Sequence, residues 1–492
     1  MDAVIQEARQ HELGQFFTPS GVAGFMASLF ENIPNDVRLL DAGAGSGSLT
    51  KAYVRHVSSL DSRPRSIMAT AFEVDEVVLP QLRATLRECE QISQTAGIKF
   101  AFELRHEDFI EFAAGEVGEN LFGGLKQRFN AAIANPPYRK IRSISDERLS
   151  LKAVGIEATN LYSAFVSLIM KLLEPGSEFV GITPRSFCNG PYFKPFRRDL
   201  LRSVTLRRLH VFESRKAAFR KDDVLQENVI FHVVREKPRQ TPVVVSSSDD
   251  PEARQRIERT HPYDAIVSPA DPDQFIHLTL TDDDSQARSL LSCLTTRLDD
   301  LEINVSTGRV VDFRAKEHLR ATADASTRPL IYPCHFLQGR VAWPKVDSRK
   351  PNAIVDCSET RDLFVPSATY VLTKRFSSKE ERRRVVACVY DPDLVAAEAV
   401  GFENHLNYFH ANGRGLDADF ARGLSAFLNS TVVDVLFRQF NGHTQVNATD
   451  LRSLRYPTRE QLIRIGRRDR NLGLSQVEID QHVKEIVSGQ RQ

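Results

Sequence analysis

Over roughly the first 240 residues, short apolar runs rich in β-branched and aromatic residues alternate with stretches of helical periodicity. Val37–Asp41, Ile67–Glu73, Phe100–Arg105, Ala131–Ala134, Glu178–Ile182, Leu206–Val211 and Val229–Val234 read as strands, and an amphipathic pattern predicts a helix from Leu161 to Leu173. Strands separated by helices predict an α/β domain with a doubly wound, Rossmann-like sheet. No long helical pattern separates the last two strands, so they are expected to pair antiparallel.

The pattern changes at Lys237–Glu252, where KPRQTPVVVSSSDDPE carries two prolines, a serine run and acids. Such a stretch reads as a linker or exposed loop. The boundary is placed at residue 239, giving a first domain of residues 1–239 and a second of 240–492. Beyond it the pattern is irregular, with β-like runs at Pro329–Tyr332 and Ala368–Leu372 and helical stretches over Leu416–Phe437 and Thr458–Ser488, which predicts a mixed α+β region with a helical tail. No internal repeat is visible.

A chain of 492 residues has ample length to bury two or more cores. With 65 Lys and Arg against 64 Asp and Glu, any surface for a polyanion must come from local clustering. Two stretches are basic: Arg197–Lys221 has nine Lys and Arg against two acids, and Leu451–Arg470 has seven Arg against two acids. Both suit phosphate contact or a solvated face equally well. The six cysteines form no Cys-x-x-Cys pair, so neither a disulfide framework nor a cysteine-rich metal site is expected. MDAVIQEARQHELGQ lacks the pattern of a secretion signal and no apolar run is long enough to span a bilayer, so the expectation is a cytoplasmic protein with no membrane partner and no metal.

Candidate chemistry begins at the first strand. RLLDAGAGSGSLT places Asp41 at the strand end, then Gly43, Gly45 and Gly47, then a segment able to open a helix. A turn without Cβ atoms lets a ligand approach the backbone, although tight turns need glycine with or without a ligand. The second strand ends at Glu73, whose carboxylate can accept hydrogen bonds from both hydroxyls of a ribose, and the third ends at His106-Glu107-Asp108-Phe109. A glycine turn, an acid, and an acid beside an aromatic ring, at three successive strand ends, describe a nucleoside pocket on the carboxyl edge of the sheet. Each acid alone reads equally as a helix cap or a solvated charge.

The fourth strand ends in Asn135-Pro136-Pro137-Tyr138. Two prolines fix φ and remove two donors, so the segment is a rigid arm that continues neither sheet nor helix. The Asn135 side-chain oxygen and the Pro136 carbonyl can hold both N–H bonds of an exocyclic amine and free its lone pair for attack, while Tyr138 offers a ring face. No covalent nucleophile is then required.

With these motifs in hand, residues 11–236 resemble the S-adenosylmethionine-dependent amino-methyltransferases that act on adenine N6 in DNA. GQFFTP at Gly14–Pro19 is similar to the family's N-terminal motif, DAGAGSG to its glycine motif, FEVDE and HEDF to its cofactor-binding acids, and NPPY to its catalytic motif. The motif order is that of the gamma group, which includes the TaqI and PstI modification enzymes of restriction systems. The resemblance implies S-adenosylmethionine as cofactor, with Thr18 near its methionine end, Glu73 on its ribose, Asp108 on its amino group and Phe109 against its adenine ring. It implies double-stranded DNA as substrate, a flipped-out target base, a cognate restriction endonuclease as functional partner, and a short palindromic site such as CTGCAG. Phe219 matches the family's second stacking aromatic, although Val224 or Leu225 can occupy the matching position and Phe219 suits a core role equally.

NPPY also occurs in enzymes that methylate rRNA guanine N2 or protein glutamine, and a catalytically inactive DNA-binding protein is a further alternative. The long second region favours DNA, because STGRVVDF (Ser306–Phe313), VLTKRFSSKEERRR (Val371–Arg384) and NGHTQVNATDLRSLRYP (Asn441–Pro457) are similar to segments of target-recognition regions. A cytosine-C5 enzyme would need a Pro-Cys nucleophile, whereas Cys188 follows Phe187. A dehydrogenase would need the G-x-G-x-x-G register, and His11-Glu12 does not continue as a metal-binding H-E-x-x-H.

Overall fold

The computed structural model describes residues 18–119, 128–142, 144–212, 228–248, 256–269, 271–278, 290, 293–346, 348–377, 381–440, 445–470 and 472–489. The chain forms two compact units, residues 1–280 and 281–492.

In the first unit, α1 (Ser20–Ala27) precedes β1 (Asp36–Ala42), α2 (Ser48–Ser59), β2 (Ser66–Phe72), α3 (Leu79–Thr95), β3 (Lys99–Arg105), α4 (Phe109–Glu119) and β4 (Phe129–Ala134). Then follow α5 (Asp146–Ala153), α6 (Leu161–Leu172), β5 (Leu173–Pro184), α7 (Lys194–Ser203), β6 (Thr205–Phe212), β7 (Asn228–Val234), β8 (Val243–Ser248) and β9 (Ile257–His261). The strands make one sheet in the order β3-β2-β1-β4-β5-β7-β6-β8-β9. β1 lies parallel to both β2 and β4, so the chain direction across the sheet reverses between β1 and β4. As the sequence pattern predicts, β7 inserts antiparallel between β5 and β6.

Both faces of the sheet's centre are covered, which is why β1, β2, β4, β5 and β7 read as nearly continuous apolar runs, whereas β3 and β9 are more exposed. Successive side chains go to opposite faces. Leu39 and Ile133 pack with Val22, Phe25 and Met26 of α1 and Leu49, Tyr53 and Val54 of α2. Leu40 and Ala132 join α4, α6 and α7 on the other face. Between the strands, Gly181 faces Phe231, where an added Cβ would come within 2.5 Å of the ring. The buried Glu178 of β5 accepts from the backbone N–H of Glu31 and Asn32 at 2.8 and 3.0 Å, and so ties the exit of α1 to the sheet.

The expected boundary at residue 239 falls short of the first unit's edge at 280. The linker-like stretch instead contributes a strand to this unit, because β8 lies within it and pairs parallel with β6, and β9 pairs with β8. The residues after β9 are also anchored there: the buried Arg197 guanidinium donates to the carbonyls of Phe187, Gly190 and Asp273, and Ile276 N–H donates to Cys188 O.

The second unit is mixed α and β. Its six-stranded sheet runs Asn304–Thr307, Leu406–His410, Tyr370–Lys374, Ala387–Tyr390, Arg340–Val341, Phe336–Leu337, and a five-stranded sheet contains Thr327–Ile331 and Ala399–Phe402. Its longer helices are α8 (Ala418–Leu428), α9 (Thr431–Phe440), α10 (Ala448–Ser453), α11 (Arg459–Arg468) and α12 (Gln476–Val487). The helical stretch predicted over Leu416–Phe437 is therefore broken. The Asn429 amide leaves the helix pattern to pair with both backbone groups of Ala387, and the chain bends by 50° there. The tail is likewise two helices, each opened by a capping box, at Thr458 with Gln461 and at Ser475 with Glu478. Among the described residues, no single helix is long and apolar enough to cross a membrane; α8 and α9 meet that test only jointly.

Candidate functional site

Four successive strand ends build one pocket on the carboxyl edge of the first unit's sheet, where the order reverses between β1 and β4. Gly43 and Gly45 come from the end of β1, Glu73 and Val74 from β2, Glu107, Asp108 and Phe109 from β3, and Asn135, Pro137 and Arg139 from β4. Phe72, Glu147, Leu161 and Phe165 complete the lining.

The turn favours glycine at three positions. Gly43, Gly45 and Gly47 have φ of +75°, +54° and +80°, in the left-handed region that side chains disfavour. Gly47 is also the N-cap of α2, where an added Cβ would come within 2.9 Å of Leu82. Asp41 lies beneath the turn, fully buried, and is not a lining residue; one carboxylate oxygen accepts from the Thr50 hydroxyl at 2.6 Å. Burial pushes the Asp41 carboxyl up to about 7, against the opposing pull of the Thr50 bond.

Glu73 reaches the pocket with its carboxylate fixed by the backbone. Gly45 N–H donates to Oε2 at 2.8 Å, and the N–H groups of Val74 and Asp75 donate to Oε1 at 2.9 Å each. The acid thus holds the glycine turn against the end of β2. Asp108 is both a cap and a pocket acid: Oδ1 accepts from Ile110 and Glu111 N–H at the start of α4, while Oδ2 has no partner among the described residues. Phe109 packs against Phe72 and Phe165, with ring centroids 5.3 and 5.0 Å away, so one wall is aromatic.

The rigid arm sits beside this wall. The Asn135 amide is held at both ends: Nδ2 donates to Thr18 Oγ1 at 3.1 Å, and Oδ1 accepts from the Tyr138 hydroxyl at 2.9 Å. Thr18 is not a lining residue, and its contact here is with the Asn135 side chain. Tyr138 stands edge-on to Tyr162, which stacks on Phe193 at 5.5 Å. A carbonyl oxygen has two lone pairs, so the bond from Tyr138 does not by itself exhaust Asn135 Oδ1.

Phe72, Val74, Leu161 and Phe165 are site residues that sequence reasoning missed. The apolar face of α6 signals Phe165 only as core, and nothing local says that this face borders a pocket. Phe219 lies outside the described residues, as do Gly14–Phe17 of the N-terminal motif. Cys188 is fully buried, its thiol pushed up to about 12 by burial, as suits a packing residue. Among the described residues, several arginines of the two basic stretches are engaged within the chain. Arg197 is buried on carbonyls, Arg452, Arg455 and Arg459 donate to the backbone of Val305, Thr295 and Leu301, and Arg467 and Arg468 pair with Asp419 and Glu485.

Residues 67–219 match the family described as Eco57I restriction-modification methylase. The chain is 45% identical over 462 residues to Type II methyltransferase M.PstI of Providencia stuartii, covering 94% of this chain and 90% of that protein. It is 44% identical over 487 residues to Type II methyltransferase M.BsuBI of Bacillus subtilis, covering 98% and 95%. Among solved structures, a DrdV–DNA complex is 12% identical with a TM-score of 0.47, covering 94% of this chain and 57% of that one. Identity of this level along nearly the whole length of both Type II enzymes carries the conclusion: the chain belongs to the methyltransferases of restriction-modification systems.

Proposed function

We propose that this methyltransferase acts on duplex DNA at a specific sequence, moving a methyl group from S-adenosylmethionine to N6 of an adenine turned out of the helix. The observation that carries the reading is the Asn135 amide, held between Thr18 and Tyr138 at the rim of a pocket with the makings of a nucleoside site. The donor set fits the cofactor. Glu73, locked in place by three backbone N–H groups and lining the pocket, is the acid placed to face ribose hydroxyls; Asp108 Oδ2 can accept from an amino group; Phe72, Phe109 and Phe165 suit a purine face. Gly43 and Gly45 allow close approach of the ligand to the backbone. When bound, S-adenosylmethionine supplies an electrophilic methyl group on its sulfonium.

The chain's own part is positioning. Asn135 Oδ1 and the Pro136 carbonyl accept the two N–H bonds of the base amine, drawing its nitrogen toward a pyramidal geometry with the lone pair free for in-line displacement. The two prolines keep both acceptors at a fixed separation. Extruding the base costs a few kcal/mol, offset by stacking and by hydrogen bonds to its edge. Tyr138 supplies one stacking face, and Phe219 is the proposed second. The names of M.PstI and M.BsuBI support a modification role, in which the methyl group protects DNA from a cognate endonuclease carried on a separate protein.

The test is Asn135→Ala. The variant should bind S-adenosylmethionine with near wild-type affinity by calorimetry and lose turnover by about a hundredfold or more. Retention of most of the rate would overturn the role given to Asn135.

A further inference from the structure

Within the second unit, a buried acid holds a half-exposed histidine. Glu403 follows the strand Ala399–Phe402 and its side chain is 0% exposed, whereas that of His405 is 46% exposed. Both Glu403 oxygens serve this one residue: Oε2 accepts from His405 N–H at 3.0 Å, and Oε1 contacts Nδ1 of its ring. Burial pushes the Glu403 carboxyl upward against the pull of those same bonds. Burying a carboxylate carries a desolvation penalty that an apolar residue would avoid. The return is an imidazole with a fixed orientation. Its Nε2 has no partner among the described residues, and the ring is open to solvent.

The neighbours extend this into a small recognition face. Arg375 N–H donates to His405 O at 2.8 Å, and Arg375 Nη1 donates to Asn404 O at 3.2 Å, which leaves Nη2 unbonded among the described residues. Phe376, an exposed aromatic, packs on the His405 ring with centroids 4.9 Å apart. Gly308, directly after the strand Asn304–Thr307, lets the backbone approach closely here, because an added Cβ would lie 2.2 Å from Glu403 O. Two of the three segments that look like target-recognition sequence, STGRVVDF and VLTKRFSSKEERRR, thus come against the same short stretch, the first at Glu403 and the second at Asn404 and His405.

We propose that His405, oriented by Glu403 and flanked by Arg375 and Phe376, is a specificity-determining contact that reads one base pair of the target site from the groove. This rests on the reading of the chain as a DNA methyltransferase. A ring locked on one nitrogen presents a single hydrogen-bonding atom at a set place, which is what base-edge recognition needs and what a phosphate contact does not. His405 is a reader, and Glu403 is a positioning residue acting through it.

The experiment uses the full chain with S-adenosylmethionine. First the wild-type site is mapped; then kcat/KM is measured for His405→Ala and Glu403→Gln on the cognate duplex and on duplexes altered at each base pair in turn. His405→Ala should lower discrimination at one base pair by about 5- to 150-fold and leave the other positions unchanged. Glu403→Gln should weaken discrimination at that same pair. Should Glu403→Gln fail to fold, His405→Ala still decides, since its side chain is half-exposed. Unchanged discrimination at every position by His405→Ala overturns the proposal. So does an equal loss on all duplexes with a salt dependence reduced by about one counterion, because that marks a phosphate contact. Absence of wild-type activity on any duplex would be a failure of the underlying DNA reading, and is distinguishable because it appears before any variant is made.

Discussion

At the residue scale, the site depends on side chains whose freedom has been removed by neighbours. Asn135 has both ends of its amide engaged, so its acceptor is oriented before any substrate arrives. Tyr138→Phe should keep the ring but lose the hydroxyl bond to Asn135, and Tyr138→Ala should lose both. Stacking worth roughly 1–3 kcal/mol is at stake in the second variant alone. Its defect in steady-state rate should shrink on DNA whose target base is already unpaired; equal defects on paired and unpaired DNA would contradict the stacking role. Asp41 gives a pH dependence of known sign. Its native carboxyl, raised from 3.8 to about 7, binds a proton more tightly than the unfolded chain does, so its contribution is fully present below about pH 4 and is lost as pH rises through about 7. A shift of this size corresponds to roughly 4 kcal/mol. Asp41→Asn should therefore gain stability relative to wild type between pH 5 and pH 8 in urea unfolding, and parallel curves would show that Asp41 is ionised throughout. The basic stretches show the limit of reading charge from sequence. A run of arginines gives no sign that a guanidinium ends on carbonyls, as Arg197 and Arg459 do.

At the scale of elements, β1 to β7 and α6 were legible, because the central strands β1, β2, β4, β5 and β7 are buried on both faces and carry apolar runs, and the more exposed β3 still alternates in KFAFELR. The antiparallel insertion of β7 followed from a missing helix. β8 and β9 were not legible, since Val243–Ser248 sits in a stretch whose serines and prolines read as loop. Those serines are buried by tertiary contacts: Ser246 and Ser248 hydrogen-bond the two nitrogens of His210. The break between α8 and α9 depends on a partner strand distant in sequence, and no local signal at Asn429 announces it. α8 and α11 cross so closely that only glycine fits. A Cβ on Gly423 would lie 1.8 Å from Leu462 O, and one on Gly466 would lie 1.8 Å from Asp419 O. Gly423→Ala should destabilise the second unit by about 1–3 kcal/mol or more, despite a helix-propensity gain of about 1 kcal/mol. A thermal midpoint at or above wild type would show that the crossing relaxes freely.

For the whole molecule, the candidate pocket was readable as a set of strand ends and unreadable as a cavity. Gly43, Gly45, Glu73, Asp108, Phe109, Asn135 and Pro137 come together as their order along the strands implies. Phe72 and Phe165 line it through packing that a one-dimensional pattern registers only as core. Asp41 and Thr18 act one step away, beneath the turn and behind the amide. S-adenosylmethionine should raise the chain's unfolding temperature in proportion to the logarithm of its concentration above Kd. Replacing Glu73 by Gln should weaken that stabilisation, because Gln cannot accept at both positions that now hold the glycine turn and the strand end. An undiminished response would remove Glu73 from the binding site.

The central claim is the identity of the methylated atom, and one measurement addresses it directly. The protein is incubated with labelled S-adenosylmethionine and unmethylated duplex DNA that includes CTGCAG sites, beside structured RNA and a protein carrying a candidate glutamine, and the labelled product is identified by mass spectrometry. The account predicts N6-methyladenine in duplex DNA alone, at one sequence. Label in RNA guanine or in glutamine, or cofactor binding with no methylated product of any kind, would contradict it.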